Sequence, residues 1–379
     1  MYELQTPYYI CDEVLLKKNL ELLKKVQDES GAKIILALKG FAMWSTFELV
    51  SKYLQGCTAS GYHEAKLAYE EFLKYNKAAE VHTYSPAFKE SEIEKIAKIS
   101  NHIVFNSPNQ LKKFIWKVKE INPEIHVSLR INPEVSASPV DIYNPCGIYS
   151  RLGTTLKNFD EDMLKHLDGL NFHALCEQDA EALESVLVAF EENFSKYFQH
   201  LKYINFGGGH HITKKGYNVE KLIVLIKRFK EKYNLDVYLE PGEAVGWEVG
   251  DLVTSVLDIF ENGMQVAILD TSAEAHMPDT LAMPYRPEIQ NAAAAGEKKF
   301  TYRLGGNTCL AGDIIGDYSF ENPLQVGDRL VIQDQIHYTF VKNTTFNGIA
   351  LPSLVIKRAN AEEELIKKFD YQHYKERLS

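Results

Sequence analysis

The feature that most constrains this chain is a rhythm. Over the first 245 residues, short apolar or β-branched runs alternate with longer amphipathic segments rich in Lys and Glu. That alternation is the pattern of repeated βα units, in which a strand is buried on both faces and a helix carries the chain back across the sheet. Eight strand candidates can be read off: 33–39 (KIILALK), 56–60 (GCTAS), 80–85 (EVHTYS), 102–107 (HIVFNS), 125–131 (IHVSLRI), 170–175 (LNFHAL), 203–206 (YINF) and 237–240 (VYLE). Helices are expected between them, at 91–100, 108–121, 180–200 and 217–233 among others. Eight such units fit an α/β fold of the (β/α)8 barrel type, for which about 250 residues is typical. A doubly wound open sheet is the alternative.

Beyond residue 245 the rhythm changes. Segments 251–260, 264–271, 299–306, 328–335, 338–343 and 353–358 read as strands, and a helical pattern returns only at 361–377. A mostly antiparallel C-terminal β domain is expected, and the opening strand TPYYIC reads as part of it. The expected organisation is therefore a barrel over residues 22–245 and a β domain from 1–21 and 246–379, a division that suits a chain of 379 residues. The alanine-rich stretch 291–299 reads as a mobile surface loop.

Composition narrows the function classes. With 42 Lys+Arg against 52 Asp+Glu the formal net charge is -10, which disfavours nucleic acid and anionic membrane surfaces and draws in polycations. Five widely spaced cysteines with no C-x-x-C pair predict a reducing, cytoplasmic setting without a disulfide framework or a structural zinc site. No basic segment followed by an apolar run opens the sequence, so neither a signal peptide nor a membrane span is expected.

In a (β/α)8 barrel the chemistry gathers where strands end and loops begin. The first strand ends in Lys39, after IILAL and before Gly40. An amine held in an apolar mouth loses proton affinity and becomes nucleophilic, able to form a Schiff base; the alternative is a surface lysine capping the strand. The sixth ends in Phe172-His173-Ala174-Leu175-Cys176, offering an imidazole that could stack on a planar cofactor or simply serve the structure. The seventh runs into Gly207-Gly208-Gly209-His210-His211, whose bare backbone can aim several N–H groups at a phosphate or make a tight turn. The histidine pair lacks further ligands at metal spacing, so no metal is expected. The eighth ends in Glu240-Pro241-Gly242-Glu243, and Gly305 to Asp313 in the β domain forms a glycine-rich loop with a thiol and a carboxylate. Lysine, imidazole, glycine cradle and carboxylate on four strand ends together describe a site for pyridoxal phosphate.

These residues resemble the fold-type III pyridoxal-phosphate enzymes, which include alanine racemase and the ornithine and diaminopimelate decarboxylases. The segments NPCGIYSRLG, FHALCE and CLAGDIIGDY are similar to the branch that decarboxylates carboxynorspermidine and carboxyspermidine in polyamine synthesis. The resemblance implies that Lys39 links covalently to the cofactor, His173 stacks on its ring, and Glu240 holds the ring nitrogen protonated. It further implies that Gly207, Gly208, Gly209, Gly242 and Tyr338 bind the phosphate. Cys309 and Asp313 would lie on a loop contributed by the second subunit of a homodimer, with Cys309 as proton donor to the substrate carbon. Where ornithine-type enzymes have Glu-Pro-Gly-Arg, this chain has Glu243 in the fourth place. Glu243, and after it Asp279 with His276 behind it, are expected to face the amines of a polycationic small-molecule substrate. An amino-acid decarboxylase or racemase of the same fold, or a non-catalytic pyridoxal-phosphate-binding protein, are the alternatives.

Overall fold

The computed structural model describes residues 4–136 and 141–379, so the first three residues of the N-terminal segment assigned to the β domain lie outside the described residues. The chain divides into two compact units, Lys17–Val245 and Met1–Leu16 with Gly246–Ser379.

The first unit is a ring of parallel strands, not an open sheet. Its order begins at Lys33–Ile34, runs through Asp236–Leu239, Tyr203–Asn205, Gly169–Asn171, His126–Arg130, His102–Phe105, Glu80–Tyr84 and Gly56–Ala59, and ends at Leu36–Ala37. The two ends of that order are one expected strand broken at Ile35: the first half pairs with Asp236–Leu239 and the second with Gly56–Ala59. The ladder continues across the break, since Ile35 N donates to Leu239 O (3.0 Å) and Leu38 N to Thr58 O (3.1 Å). One strand therefore bonds both neighbours and closes the barrel, which leaves no edge exposed.

The helices arise where capping chemistry meets an apolar stripe. Pro108–Ile121 starts on Ser107, whose side chain accepts from Gln110 N, with Pro108 at its first turn; it buries Leu111, Phe114, Ile115 and Val118. Val219–Tyr233 starts on Asn218, which accepts from Lys221 N, and ends at Asn234 in the left-handed conformation. The expected helix at 180–200 is an α-helix over Ala180–Phe194 that tightens into a 3-10 turn over Ser195–His200. Phe172, Phe206, Phe190, Phe198 and Phe229 fill the space between strands and helices in one aromatic layer.

The strand starts form a polar floor. Glu80 accepts from Tyr238 Oη (2.9 Å) and lies 3.0 Å from His82 Nε2, while the rings of His82 and His102 stack at 3.8 Å. Three ligand-type atoms of Glu80, His82 and His102 fall within 4.8 Å of one another, yet Lys33 Nζ stands 3.5 Å from Glu80 and supplies a tethered cation there.

The second unit is a mixed sheet, mostly antiparallel. Gly250–Glu261 is its spine and pairs antiparallel with Tyr8–Asp12, Gln265–Leu269 and Arg329–Ile332. Two pairs are parallel, Tyr8–Asp12 with Ser353–Lys357 and Gln265–Leu269 with Phe300–Gly305. Three local expectations are corrected here. Residues 338–343, read as a strand, form a helix over Tyr338–Lys342. Residues 361–377, read as one helix, split into a strand Glu363–Lys367 and a helix Tyr371–Leu378 that begins on an Asp370 capping box with His373. Pairing with the open side of Ser353–Lys357 overrides the helical leaning of Glu, Leu and Lys there. The alanine stretch is tied down, with Ala293–Ala294 paired to Tyr318 and Ser319.

Candidate active site

Lys39 follows the break strand in a short turn, where Gly40 N and Phe41 N both donate back to Ala37 O (3.0 and 3.2 Å). Its side chain stays accessible to solvent, although the strand ends around it are densely packed. Burial lowers its proton affinity, the Arg130 guanidinium lowers it further, and Glu240, Glu64 and Cys176 oppose the shift. Gly40 is required at the next position. A Cβ there would lie 2.8 Å from Glu243 N and from Gly242 Cα, so the turns after the first and eighth strands are in direct backbone contact.

Around Lys39 the other strand-end residues lock together. Gly208 N donates to His173 Nδ1 (2.9 Å), which leaves Nε2 to carry the ring's proton, and burial depresses the imidazole's proton affinity with Lys39, Arg130 and His210 adding to it. Asn205 Nδ2 donates to Glu240 Oε1 (2.7 Å) while its Oδ1 accepts from Gly207 N (2.8 Å). Glu240 N in turn donates to Gly207 O (2.8 Å). Gly207 and Gly209 sit at φ of 70° and 82°, in the left-handed region. A Cβ on Gly208 would come 2.4 Å from Glu240 O, and one on Gly209 2.1 Å from Leu175 O. The three glycines are thus demanded by close backbone approach, and the barrel unit brings Lys39, His173, Gly207, Gly208, Gly209, Glu240, Gly242 and Glu243 to one rim.

Two residues of this rim escaped the sequence reading. Arg130 is 6% exposed; its Nη2 donates to His173 O (3.2 Å) and its guanidinium lies 4.8 Å above the Tyr84 ring. Asn205, 1% exposed, bridges the glycine turn and Glu240. The available signal was a cation inside the apolar run IHVSLRI and an amide directly before Phe206-Gly207, both at the chemical end of a strand.

The remaining expected residues lie in the sheet unit. Cys309 is exposed, and its backbone N donates to Asn347 Oδ1 (2.6 Å). Tyr338 is half-buried at the start of its helix, with Lys342 Nζ 5.9 Å from its ring. Asp313, His276 and Asp279, the other residues expected to serve the substrate, each have partners of their own within this unit. Asp313 is 3% exposed and accepts from Ser272 Oγ (2.9 Å), Ala273 N (2.7 Å), Glu274 N (3.2 Å), Thr308 N (3.2 Å) and Thr308 Oγ1 (2.6 Å). Both its oxygens are saturated, and it pins the Cys309 loop to the turn at Ser272. His276 is fully buried against Thr271 Oγ1 (3.0 Å), and burial pushes its imidazole down to about 4. Asp279 is ion-paired with Lys342, so a substrate amine would have to displace a tethered cation.

The barrel rim fits pyridoxal phosphate on its own geometry: an amine whose proton affinity is lowered by its surroundings, a neutral imidazole fixed by the glycine turn, a carboxylate with one oxygen left beyond the Asn205 bond, and a glycine turn without side chains after the seventh strand that leaves room for a phosphate. The comparisons agree. The family model described as pyridoxal-dependent decarboxylase, C-terminal sheet domain, matches residues 8–335. The carboxynorspermidine/carboxyspermidine decarboxylase of Campylobacter jejuni is 54% identical over 98% of each chain, and the carboxyaminopropylagmatine decarboxylase of a Synechocystis strain is 41% identical over 99% of this chain and 96% of its own. A crystal structure of carboxynorspermidine decarboxylase from Campylobacter jejuni complexed with norspermidine superposes with a TM-score of 0.91 at 52% identity, covering 99% of this chain and 100% of that one. The diaminopimelate decarboxylase of Helicobacter pylori, at 17% identity and a TM-score of 0.80, shares the fold. By its fold, its rim and its sequence, this chain belongs to the pyridoxal-dependent decarboxylases.

Proposed function

We propose that this chain decarboxylates carboxynorspermidine and carboxyspermidine, releasing CO2 and the corresponding triamine. The observation that carries this reading is the 54% identity across nearly the whole of both chains to a relative named for that reaction, together with Glu243 in the place where ornithine-type enzymes carry a cation. When bound, pyridoxal phosphate supplies an electron sink for the pair left behind as the carboxylate departs. Lys39 is the nucleophile that would hold it, its proton affinity lowered by burial and by Arg130. Glu240, steadied by Asn205, would keep a proton at the ring nitrogen, and His173, its tautomer fixed by Gly208 N–H, would stack on the ring. The Gly207–Gly209 turn and Gly242 would take the phosphate, and Tyr338 is the further phosphate group that the resemblance implies. Glu243 takes a substrate ammonium.

The same reading makes the protein a cytoplasmic homodimer in which Cys309 of one subunit delivers the final proton at the other's site. Among the described residues no helix is long and apolar enough to cross a membrane. Discrimination between the two carboxylated triamines, which differ by one methylene, is expected to stay within about 1–3 kcal/mol. The Synechocystis relative favours a second reading, in which the substrate ends in a guanidinium.

The test is CO2 release from carboxynorspermidine, carboxyspermidine, carboxyaminopropylagmatine, ornithine, lysine and diaminopimelate. The first two are expected to lead by at least ten-fold in kcat/KM, and the proposal falls if ornithine, lysine or diaminopimelate matches them. Lys39→Ala should lose covalent cofactor retention on borohydride treatment and more than about 10³-fold in kcat. Mixing refolded Lys39→Ala and Cys309→Ala subunits tests the shared site. Random pairing makes half the dimers mixed, each with one intact site, so activity should recover to about one quarter of the parent. No recovery would refute the shared-site arrangement.

A further inference from the structure

Cys309 sits on a loop whose backbone is held largely by the loop itself. Gly306 N donates to Asp313 O (2.9 Å), Thr308 N to Asp313 Oδ2 (3.2 Å), Leu310 N to Thr308 Oγ1 (3.4 Å) and Asp313 N to Leu310 O (3.0 Å), all within residues 306–313. Cys309 N instead points out of the loop and donates to Asn347 Oδ1 (2.6 Å), 38 residues further along the chain. Cys309, Leu310 and Ala311 are exposed, so polar bonds and not core packing set where this tip stands.

The supports on either side of Cys309 rest on one buried base. Asp313, which accepts from Thr308, also accepts from Ser272 Oγ (2.9 Å) and Ala273 N (2.7 Å). On the other side Thr344 N donates to Ala275 O (2.7 Å), and Gly348 N closes the turn around Asn347 onto Thr345 O (3.0 Å). Ser272, Ala273 and Ala275 are fully buried. Asn347 itself is left-handed, at φ 56° and ψ 11°, a conformation that asparagine tolerates better than most residues. The turn alone would account for an asparagine or a glycine there; the bond to Cys309 N is what the turn does not need.

We infer that Asn347 is a positioning residue for Cys309: its side-chain oxygen fixes the loop so that the thiol of one subunit meets the substrate carbon held by the other. This rests on the reading under Proposed function and deepens it. The thiol gives its proton to the carbon that has lost CO2 and is reprotonated from solvent. A proton crosses only a short gap, so a tip that wanders by an ångström is less often in a productive geometry. Because its bond is to the donor's backbone, Asn347 acts on the protonation step and leaves substrate capture alone.

The experiment compares Asn347→Gly, which suits the left-handed turn and removes the oxygen, with Asn347→Asp, which keeps an acceptor in the same place. Asn347→Gly is expected to lower kcat for carboxynorspermidine roughly ten-fold, with KM within about two-fold and a larger solvent deuterium isotope effect on kcat. Asn347→Asp should recover most of that loss. Cofactor affinity, read by absorbance titration, should be unchanged in both. The deciding arm repeats Asn347→Gly in a Cys309→Ala protein, where with no thiol to place it should change kcat by less than about two-fold. A ten-fold loss in that background too would show Asn347 to act on the fold at large, and a parent-like kcat for Asn347→Gly would equally overturn the inference while the proposed function survives. If Cys309→Ala alone keeps the parent's kcat, the thiol is not the proton donor, and the shared-site proton and this inference fall together. If the parent releases no CO2 from carboxynorspermidine, the proposed function falls with them.

Discussion

At the scale of single residues, the site works by arranging charges about one amine. Partial desolvation and the Arg130 guanidinium both favour the neutral form of Lys39. The sign of one prediction follows from this. Arg130→Gln removes a like charge, so the proton affinity of Lys39 should rise, its amine should stay protonated to higher pH, and cofactor capture at pH 7–8 should slow. A roughly ten-fold slower absorbance change on adding pyridoxal phosphate is the expected scale. An unchanged pH profile would show that burial alone sets the amine. Arg130 also shows where residue-level reading stops. Lys39, His173 and Glu240 stood out because each is an unusual residue ending a strand. Arg130 and Asn205 sit inside runs that read as plain strand, and their roles come from what lies across the barrel, His173 for one and Glu240 with Gly207 for the other.

At the scale of elements, the glycine turn after the seventh strand shows how backbone shape precedes chemistry. Gly209 needs φ of 82° and has Leu175 O where a Cβ would stand; Gly61, ahead of the helix Tyr62–Leu67, is extended and has nothing within 4 Å. Gly209→Ala should therefore cost about 2–4 kcal/mol and weaken cofactor binding, whereas Gly61→Ala should stay within about 0.5 kcal/mol. Chemical denaturation of both variants with a cofactor titration checks the pair, and equal effects would contradict the argument. Elements of this kind were legible because their residues are locally diagnostic. Pro108–Ile121 carries its own cap, proline and apolar stripe, and its expected limits coincide with the observed ones. The two misread segments of the second unit are cases where local preference lost to long-range pairing. Glu363–Lys367 is helix-forming in composition, yet it pairs with Ser353–Lys357 through a turn at Ala361, and Arg358 bridges to Glu364 at 2.6 Å. That partner strand cannot be foreseen from the segment itself.

At the scale of the whole molecule, the buried histidines decide how the protein meets acid. His210 in the barrel unit and His276 in the sheet unit are each pushed down to about 4 by burial, from an ordinary value of 6.5. Above pH 6.5 both states of the protein hold these rings neutral and the shift has no effect. As pH falls from 6.5 toward 4, the unfolded chain takes up protons that the folded chain refuses, so stability is lost, by about 2–3 kcal/mol per ring at pH 4.5. Asp251, raised by burial, works in the opposite direction. The net charge of -10 also argues the other way, because acidification toward the isoelectric point relieves self-repulsion. A measured fall in the urea midpoint between pH 7 and pH 4.5 would thus have to overcome the long-range term, and the buried rings supply the larger opposing one. Replacing His276 with Gln should lower stability at pH 7, where the bond to Thr271 is disturbed, yet flatten the fall toward pH 4.5, because the variant refuses one proton fewer. A variant whose loss on acidification equals the parent's would assign the sensitivity elsewhere.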